Sequence, residues 1–256
     1  MQEKHDEWDW QWSRLDNQVE WVLRDWLHPN KPEDFAGKSV LDAGCGPGQH
    51  AAFYARWAAT VVGVDLNTVG VARDRSRAPA NVEFVDGDIA SFDDGRRFDV
   101  VTSIGVVHHT DDPDRTVAHL KALLRPGGRL IVWVYSLEGN ALNRLLVEPA
   151  KTLVLGRLPR PALLALAHLA TLALYPVVHT VYRLPLSFLP FYEYFGNFRR
   201  FPYANNLMNV FDKLNAPQTD FISEARARAW VADMKDPHVS AYVGVSWRVS
   251  GTRPII

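Results

Sequence analysis

The turn VLDAGCGPGQH, positions 40 to 50, is the first place in this sequence where residue types and spacing can do chemistry. A strand ending near Asp42 must give way to a helix through Gly44, Gly46 and Gly48. Residues without a Cβ permit that sharp turn and let a ligand approach the backbone. The helix that follows presents unpaired N–H groups and a partial positive charge, which suits a carboxylate or phosphate. Asp65 ends the run VVGVDL, where a carboxylate can accept both hydroxyls of a ribose. Asp88 stands just past VEFVDG, where it can accept from an exocyclic amine such as that of adenine. His108 and His109 follow FDVVTSIG, and imidazole has the unperturbed pKa of a general base. Of the two, His109 is the favoured base. The plainer reading is that one or both histidines cap or brace a helix starting near Pro113. Cys45 reads as a small loop filler.

Each of these residues stands at the end of a short apolar or β-branched run: SVLDA, TVVGVDL, VEFVDG, FDVVTSI and RLIVWVY. Helical stretches separate them at about 50–57, 68–77 and 113–124. Asp112-Pro113 opens the last of these as a cap followed by proline, and Arg125-Pro126-Gly127-Gly128 reads as its stop. Near-continuous apolar strands alternating with helices predict an α/β fold, a mostly parallel sheet with helices on both faces. Ligands of such sheets bind at the C-terminal strand edge.

Around this core, residues 37–136, the sequence predicts three further parts. Residues 1–36 are rich in Trp, with an amphipathic helix from about Leu15 to Leu27 that His28-Pro29 ends. Residues 137–222 form an apolar helical cap. Residues 223–256 hold a closing helix, about Ser223 to Met234, and a strand hairpin. With 47% hydrophobic and 22% charged residues among 256, general disorder is excluded. Lys plus Arg number 28 against 29 Asp plus Glu, which gives none of the basic excess of a nucleic-acid binder. One cysteine excludes an intrachain disulfide and a multi-cysteine zinc site, so no metal is expected. The N-terminal MQEKHDEWDWQWSR lacks a secretory apolar core, and the expected setting is cytoplasmic.

Taken together, VLDAGCGPG, VVGVDLN, VEFVDGDI, FDVVTSIGVVHHT and LKALLRPGGRLIVWVY resemble the class I S-adenosylmethionine-dependent methyltransferases. That family has a seven-stranded, Rossmann-like fold, and the resemblance covers about 39–136. It implies that Asp42, Gly44, Gly46 and Gly48 surround the methionine part of the cofactor. It implies Asp65 on the ribose, Leu66 on the adenine face, and Asp88 with Ile89 at the adenine edge. Ser103 to Gly105 would lie beside the sulfonium. Trp12 and Arg14 match the W-x-R feature of an N-terminal helix that folds over the cofactor. Trp12 would then close the pocket and Arg14 hold the methionine carboxylate, with Trp21 and Trp26 as core. A nicotinamide-dependent dehydrogenase would need G-x-G-x-x-G, whereas the spacing here is G-x-G-x-G.

The narrower resemblance is to bacterial enzymes that methylate small molecules, glycans or lipids. No Asn-Pro-Pro-Tyr-type string follows the fourth strand, which with the neutral charge argues against DNA or RNA as acceptor. The expected reaction is O-methylation of a small hydrophobic or lipid-linked acceptor. The alternative is a membrane-associated scaffold on a degenerate core.

From Pro161 to Tyr182 the chain holds no Asp, Glu, Lys or Arg. As a helix this stretch would reach about 33 Å, enough for a bilayer core of about 30 Å. Pro176, His168, His179 and the closing strands beyond it weigh against spanning. The expectation is a soluble cap or homodimer interface, or else peripheral contact with a membrane. Arg157, Arg160, Arg183, Arg199 and Arg200 flank the region, with Glu193 the one acid expected near them.

Overall fold

The computed structural model describes residues 3–15, 19–75 and 79–255. In chain order they form α1 (Glu3–Arg14), α2 (Glu20–Leu27), β1 (Ser39–Ala43), α3 (Gln49–Tyr54), β2 (Thr60–Asp65), α4 (Val69–Arg75), β3 (Val82–Asp86) and β4 (Phe98–Ile104). Then follow α5 (Pro113–Ala122), β5 (Leu124–Tyr135), α6 (Glu148–Leu153), α7 (Arg160–Thr180), α8 (Tyr192–Phe198), α9 (Tyr203–Asn215), α10 (Glu224–Val231), β6 (Lys235–Tyr242) and β7 (Ser246–Thr252).

The seven strands make one sheet in the order β3-β2-β1-β4-β5-β7-β6. β1 to β5 are parallel, and β7 runs antiparallel to both β5 and β6. Strand order reverses between β1 and β4, where such sheets open a crevice for ligands. Successive strand residues point to opposite faces, which divides the core in two. Leu41, Val101, Leu130 and Val132 pack on one face, Val40, Val100 and Ile131 on the other. Local signals agree with this arrangement. Asp112 accepts the Arg115 N–H at 3.0 Å to cap α5, and Ser223 caps α10 through Arg226 N–H at 3.2 Å.

Four sequence expectations need correction. The helix expected from Leu15 to Leu27 is described from Glu20, as α2, and a separate helix, α1, precedes it and ends at Arg14, with 16–18 outside the described residues. Trp10 of α1 and Leu15 just after it pack against α7 and α9, while Leu23 and Leu27 of α2 pack on the sheet side. The helices after β1 and β4 are also shorter than expected, and the predicted end of the helix after β2, at Arg77, lies outside the described residues. Third, Arg125 to Gly128 do not separate α5 from a strand. They lie inside β5, as an irregularity between the pairs Phe98–Leu124 and Val100–Arg129.

The fourth correction concerns the flanking arginines. Arg160 meets Glu7 of α1 at 3.5 Å, an acid remote in sequence, and Arg200 lies 3.7 Å from the Trp21 ring centroid. Trp21 therefore stacks on the cap, against Phe201, and Trp26 packs on Trp133 of the sheet.

Candidate active site

The tips of β1, β2 and β3 gather the predicted acids. Asp42 lies beside Gly63 and Thr102 in register, and Asp65 beside Asp86. Between β1 and α3 the chain folds back through Gly44 and Gly46, at φ +84° and +49°. At Gly44 a Cβ would stand 2.4 Å from a Val106 methyl, so only glycine fits. The turn is fastened to β2: the N–H groups of Gly44 and Cys45 donate to the Val64 carbonyl, and Gly46 N–H donates to Asp65 Oδ2 at 2.8 Å. Thr68 Oγ1 donates to the Gly46 carbonyl at 3.2 Å. Cys45 is buried and its thiol is pushed well up by burial, which leaves it a filler.

Asp42 is 1% exposed. One oxygen accepts from Thr102 Oγ1 at 3.1 Å, while Oδ2 has no hydrogen-bond partner among the described residues. Burial pushes its carboxyl up to about 7, with Asp65 adding to the effect. Asp65 is half-buried, and burial raises it to about 6. An orphaned buried oxygen at the base of the turn and a second carboxylate at its lip fit a ligand with an ammonium and a vicinal diol. S-adenosylmethionine carries both.

The strained charge on Asp42 makes a stability prediction. Its folded pKa lies above the unfolded value of about 3.9, so between these the folded state binds more protons. Stability therefore falls as pH rises through about 4 to 7. Asp42→Asn removes a cost of up to about 4 kcal/mol at pH 8, or roughly 5–10 °C in Tm. The gain should vanish near pH 4. A gain in Tm that is equal at both pH values, by scanning fluorimetry, would contradict the assignment.

Other predicted residues divide by placement. Asp88 is exposed at the β3 edge, one oxygen accepting Ala90 N–H at 2.8 Å, and Ile89 beside it is buried. Leu66 is half-buried next to Asp65, and Gly48, at φ +84°, caps α3. Gly105 lies against the Trp133 ring. The indole of Trp12 covers the turn, 3.6 Å from where a Gly46 Cβ would stand. Two side chains are corrected. Ser103 Oγ is buried and donates to the Ala43 carbonyl at 2.9 Å, so it braces β4 to β1 and does not face a ligand. Arg14 is exposed and folds back over Trp10, donating to Ser13 Oγ at 3.0 Å. Both Trp12 and Arg14 are in α1, and residues two apart point to opposite sides of a helix.

The histidines also divide. His108 is fully buried between the rings of His109 and Tyr135, with neither ring nitrogen bonded to a described residue. Burial depresses its pKa well below the usual value, so it is neutral. His109 is half-buried, its Nδ1 2.7 Å from the Gln218 carbonyl. A carbonyl only accepts, so Nδ1 carries the proton and Nε2 the lone pair. Gln218 Nε2 returns a bond to the His109 carbonyl at 3.0 Å. Burial lowers the His109 pKa, and the nearby Asp212 opposes that shift. Neither histidine caps α5, because Asp112 does.

Beside them a small cleft is lined by Tyr135, Glu148, Asp212, Lys213, Thr219 and Phe221. Tyr135 joins cleft to histidines: its ring packs on His108 and its hydroxyl donates to Asp212 Oδ2 at 3.3 Å. Lys213 Nζ stands 4.7 Å from the Tyr135 ring centroid. α1 closes the arrangement from above. Gln11 donates to Asp212 at 3.1 Å, Trp10 packs on Phe211, and Trp8 lies 5.2 Å from His109. Sequence reasoning missed this lining. Tyr135 was findable as the end of β5, but Asp212 and Lys213 look like any solvated pair on a helix.

Comparison with known proteins places the core. The family model of the methyltransferase domain matches residues 41–132. The chain is similar to a ubiquinone biosynthesis O-methyltransferase of Thiobacillus denitrificans, 35% identical over 142 residues, covering 53% of this chain and 59% of the relative. It is similar to a tRNA U34 carboxymethyltransferase of Pseudoalteromonas translucida, 33% identical over 144 residues, covering 54% of this chain and 40% of the relative. The chain thus spans less than two thirds of the length of either. Among solved structures, magnesium protoporphyrin IX methyltransferase from Synechocystis with bound S-adenosylhomocysteine shares the fold. It superposes with a TM-score of 0.55 at 18% identity, covering 97% of both chains.

Proposed function

We propose that this chain, whose residues 41–132 match the model of a methyltransferase domain, is a class I, S-adenosylmethionine-dependent methyltransferase that methylates an oxygen of a small, largely hydrophobic acceptor held in the cleft by Tyr135. When bound, S-adenosylmethionine supplies a methyl group on a positively charged sulfur. The chain's own task is to hold two reactants in line and exclude water. Asp42, the glycine turn and Asp65 would hold the cofactor, with Asp88 and Ile89 at the adenine end and Trp12 above the turn. Tyr135, Asp212 and Lys213 would orient the acceptor, and His109 would take its hydroxyl proton on Nε2.

The observation that carries the oxygen reading is the His109–Gln218 bond. It fixes the tautomer with a basic Nε2, and burial keeps that nitrogen neutral at physiological pH. The test is incubation with methyl-labelled S-adenosylmethionine and a panel of phenols, hydroxylated quinols and sugar hydroxyls, read by mass spectrometry. Label on an oxygen of one panel member supports the proposal, and label only on amines would contradict the oxygen reading. A chain that binds no S-adenosylhomocysteine at all would favour the scaffold reading.

A further inference from the structure

We propose that the outer face of α7, with the apolar segments flanking it, seats this protein on an anionic lipid surface. Among the described residues fourteen large hydrophobic side chains are exposed, and thirteen of them lie between Leu142 and Phe188. α7 is apolar on both sides. Its inner stripe holds Leu163 and Ala167, packed on Leu207 and Phe211 of α9. Its outer stripe holds Leu166, Leu169, Leu172 and Val177, with Leu169 67% and Leu172 57% exposed. A helix at a water interface carries polar residues on its outer side, and one apolar all round calls for a second apolar neighbour.

Charge selects that neighbour. From Pro149 to Tyr192, 44 residues contain no Asp or Glu but contain Lys151, Arg157, Arg160 and Arg183. Lys151 pairs with Glu148 and Arg160 with Glu7. Arg144, Arg157 and Arg183 are exposed, and none forms an ion pair with a described carboxylate. In a symmetric dimer the same patch meets itself, so arginine would face arginine, and the one acid between Leu142 and Phe188, Glu148, is already paired with Lys151. Phosphate headgroups answer both features at once: opposite charge for the arginines and an apolar layer for the leucines.

Arg160–Arg183 is long and apolar enough to cross a bilayer, with 22% of its most apolar window buried. Crossing would strip the inner stripe from α9, which leads through α10 to the strands completing the sheet beyond β5. The helix therefore lies along the surface. The same seating would bring the cleft to the lipid, because Asn143 and Val147 line the cleft while Leu145 and Leu146 between them are exposed. The seating itself stands apart from methyl transfer.

Flotation of the full chain with vesicles of phosphatidylcholine, with and without phosphatidylglycerol, tests it. The wild type should float with the anionic vesicles roughly tenfold more than with neutral ones, each arginine near the surface adding attraction. Leu169→Glu with Leu172→Glu should stay in solution at unchanged Tm, both positions being exposed. Arg157→Ser with Arg183→Ser should lose the preference for phosphatidylglycerol, which keeps the test decisive if the glutamates disturb folding. Wild type that stays in solution overturns the proposal. So does a dimer by sedimentation equilibrium that the glutamate pair dissolves.

Discussion

Asp65→Ala should weaken S-adenosylhomocysteine binding at least about a hundredfold by calorimetry. The proposed ribose site gives this carboxylate two hydroxyl donors. A hydrogen bond to a charged group contributes about 1.5–3 kcal/mol, and each 1.4 kcal/mol is about tenfold in affinity. The loss should come without loss of fold, because burial already disfavours the charge that the alanine removes. Asp65→Asn separates the roles further. It keeps an acceptor for Gly46 N–H, which the free protein uses at 2.8 Å, yet should still bind weakly.

The same residue sets a pH dependence. Its carboxyl is raised to about 6 by burial, and the ionised form is the one that accepts both hydroxyls. Affinity should therefore be flat above pH 7 and fall by up to about tenfold per unit below pH 6. Undiminished binding in Asp65→Ala would remove this carboxylate from the site.

The second large effect belongs to His109. On the best acceptor from the labelled panel, His109→Ala should lower kcat by about 10²–10⁴, the usual contribution of a positioned base. Cofactor affinity should be kept, because the histidine belongs to the cleft side of the sheet edge and not to the glycine turn. Burial lowers the pKa of His109, and the neutral ring is the base. The rate should therefore rise with pH along a limb centred below the usual histidine value and stay level through pH 7 to 8. His108→Asn should act differently. Its ring is buried and packs on Tyr135, so the expected loss is in Tm and acceptor KM. Unchanged turnover in His109→Ala would leave positioning alone as the chain's contribution.

The strands and the glycine turn were legible because each depends on neighbours in sequence. Apolar runs broken by Gly, Asp and Pro mark strand ends, and strand ends are where Asp42, Asp65 and Asp88 stand. What depends on direction was harder to read. Arg14 looked like a partner for Trp12 until helix geometry sent it to the other side of α1. Ser103 looked available at a strand tip, but its hydroxyl finds the Ala43 carbonyl first. The cleft beside Tyr135 was not legible at all. It is assembled from β5, the segment before α6, α9 and the loop after it, and no local pattern distinguishes Asp212 and Lys213 from surface charges. The His109 ring bonds to the Gln218 backbone carbonyl, which any residue would supply, so no side chain could announce that bond.

The most direct test of the whole account is a crystal structure of the chain grown with S-adenosylhomocysteine. The ribose hydroxyls should stand within hydrogen-bond distance of Asp65, with the adenine edge at Asp88 and Ile89 and the amino-acid end above the glycine turn toward Asp42. A nucleoside bound elsewhere, or a glycine turn left empty at saturating ligand, would contradict it.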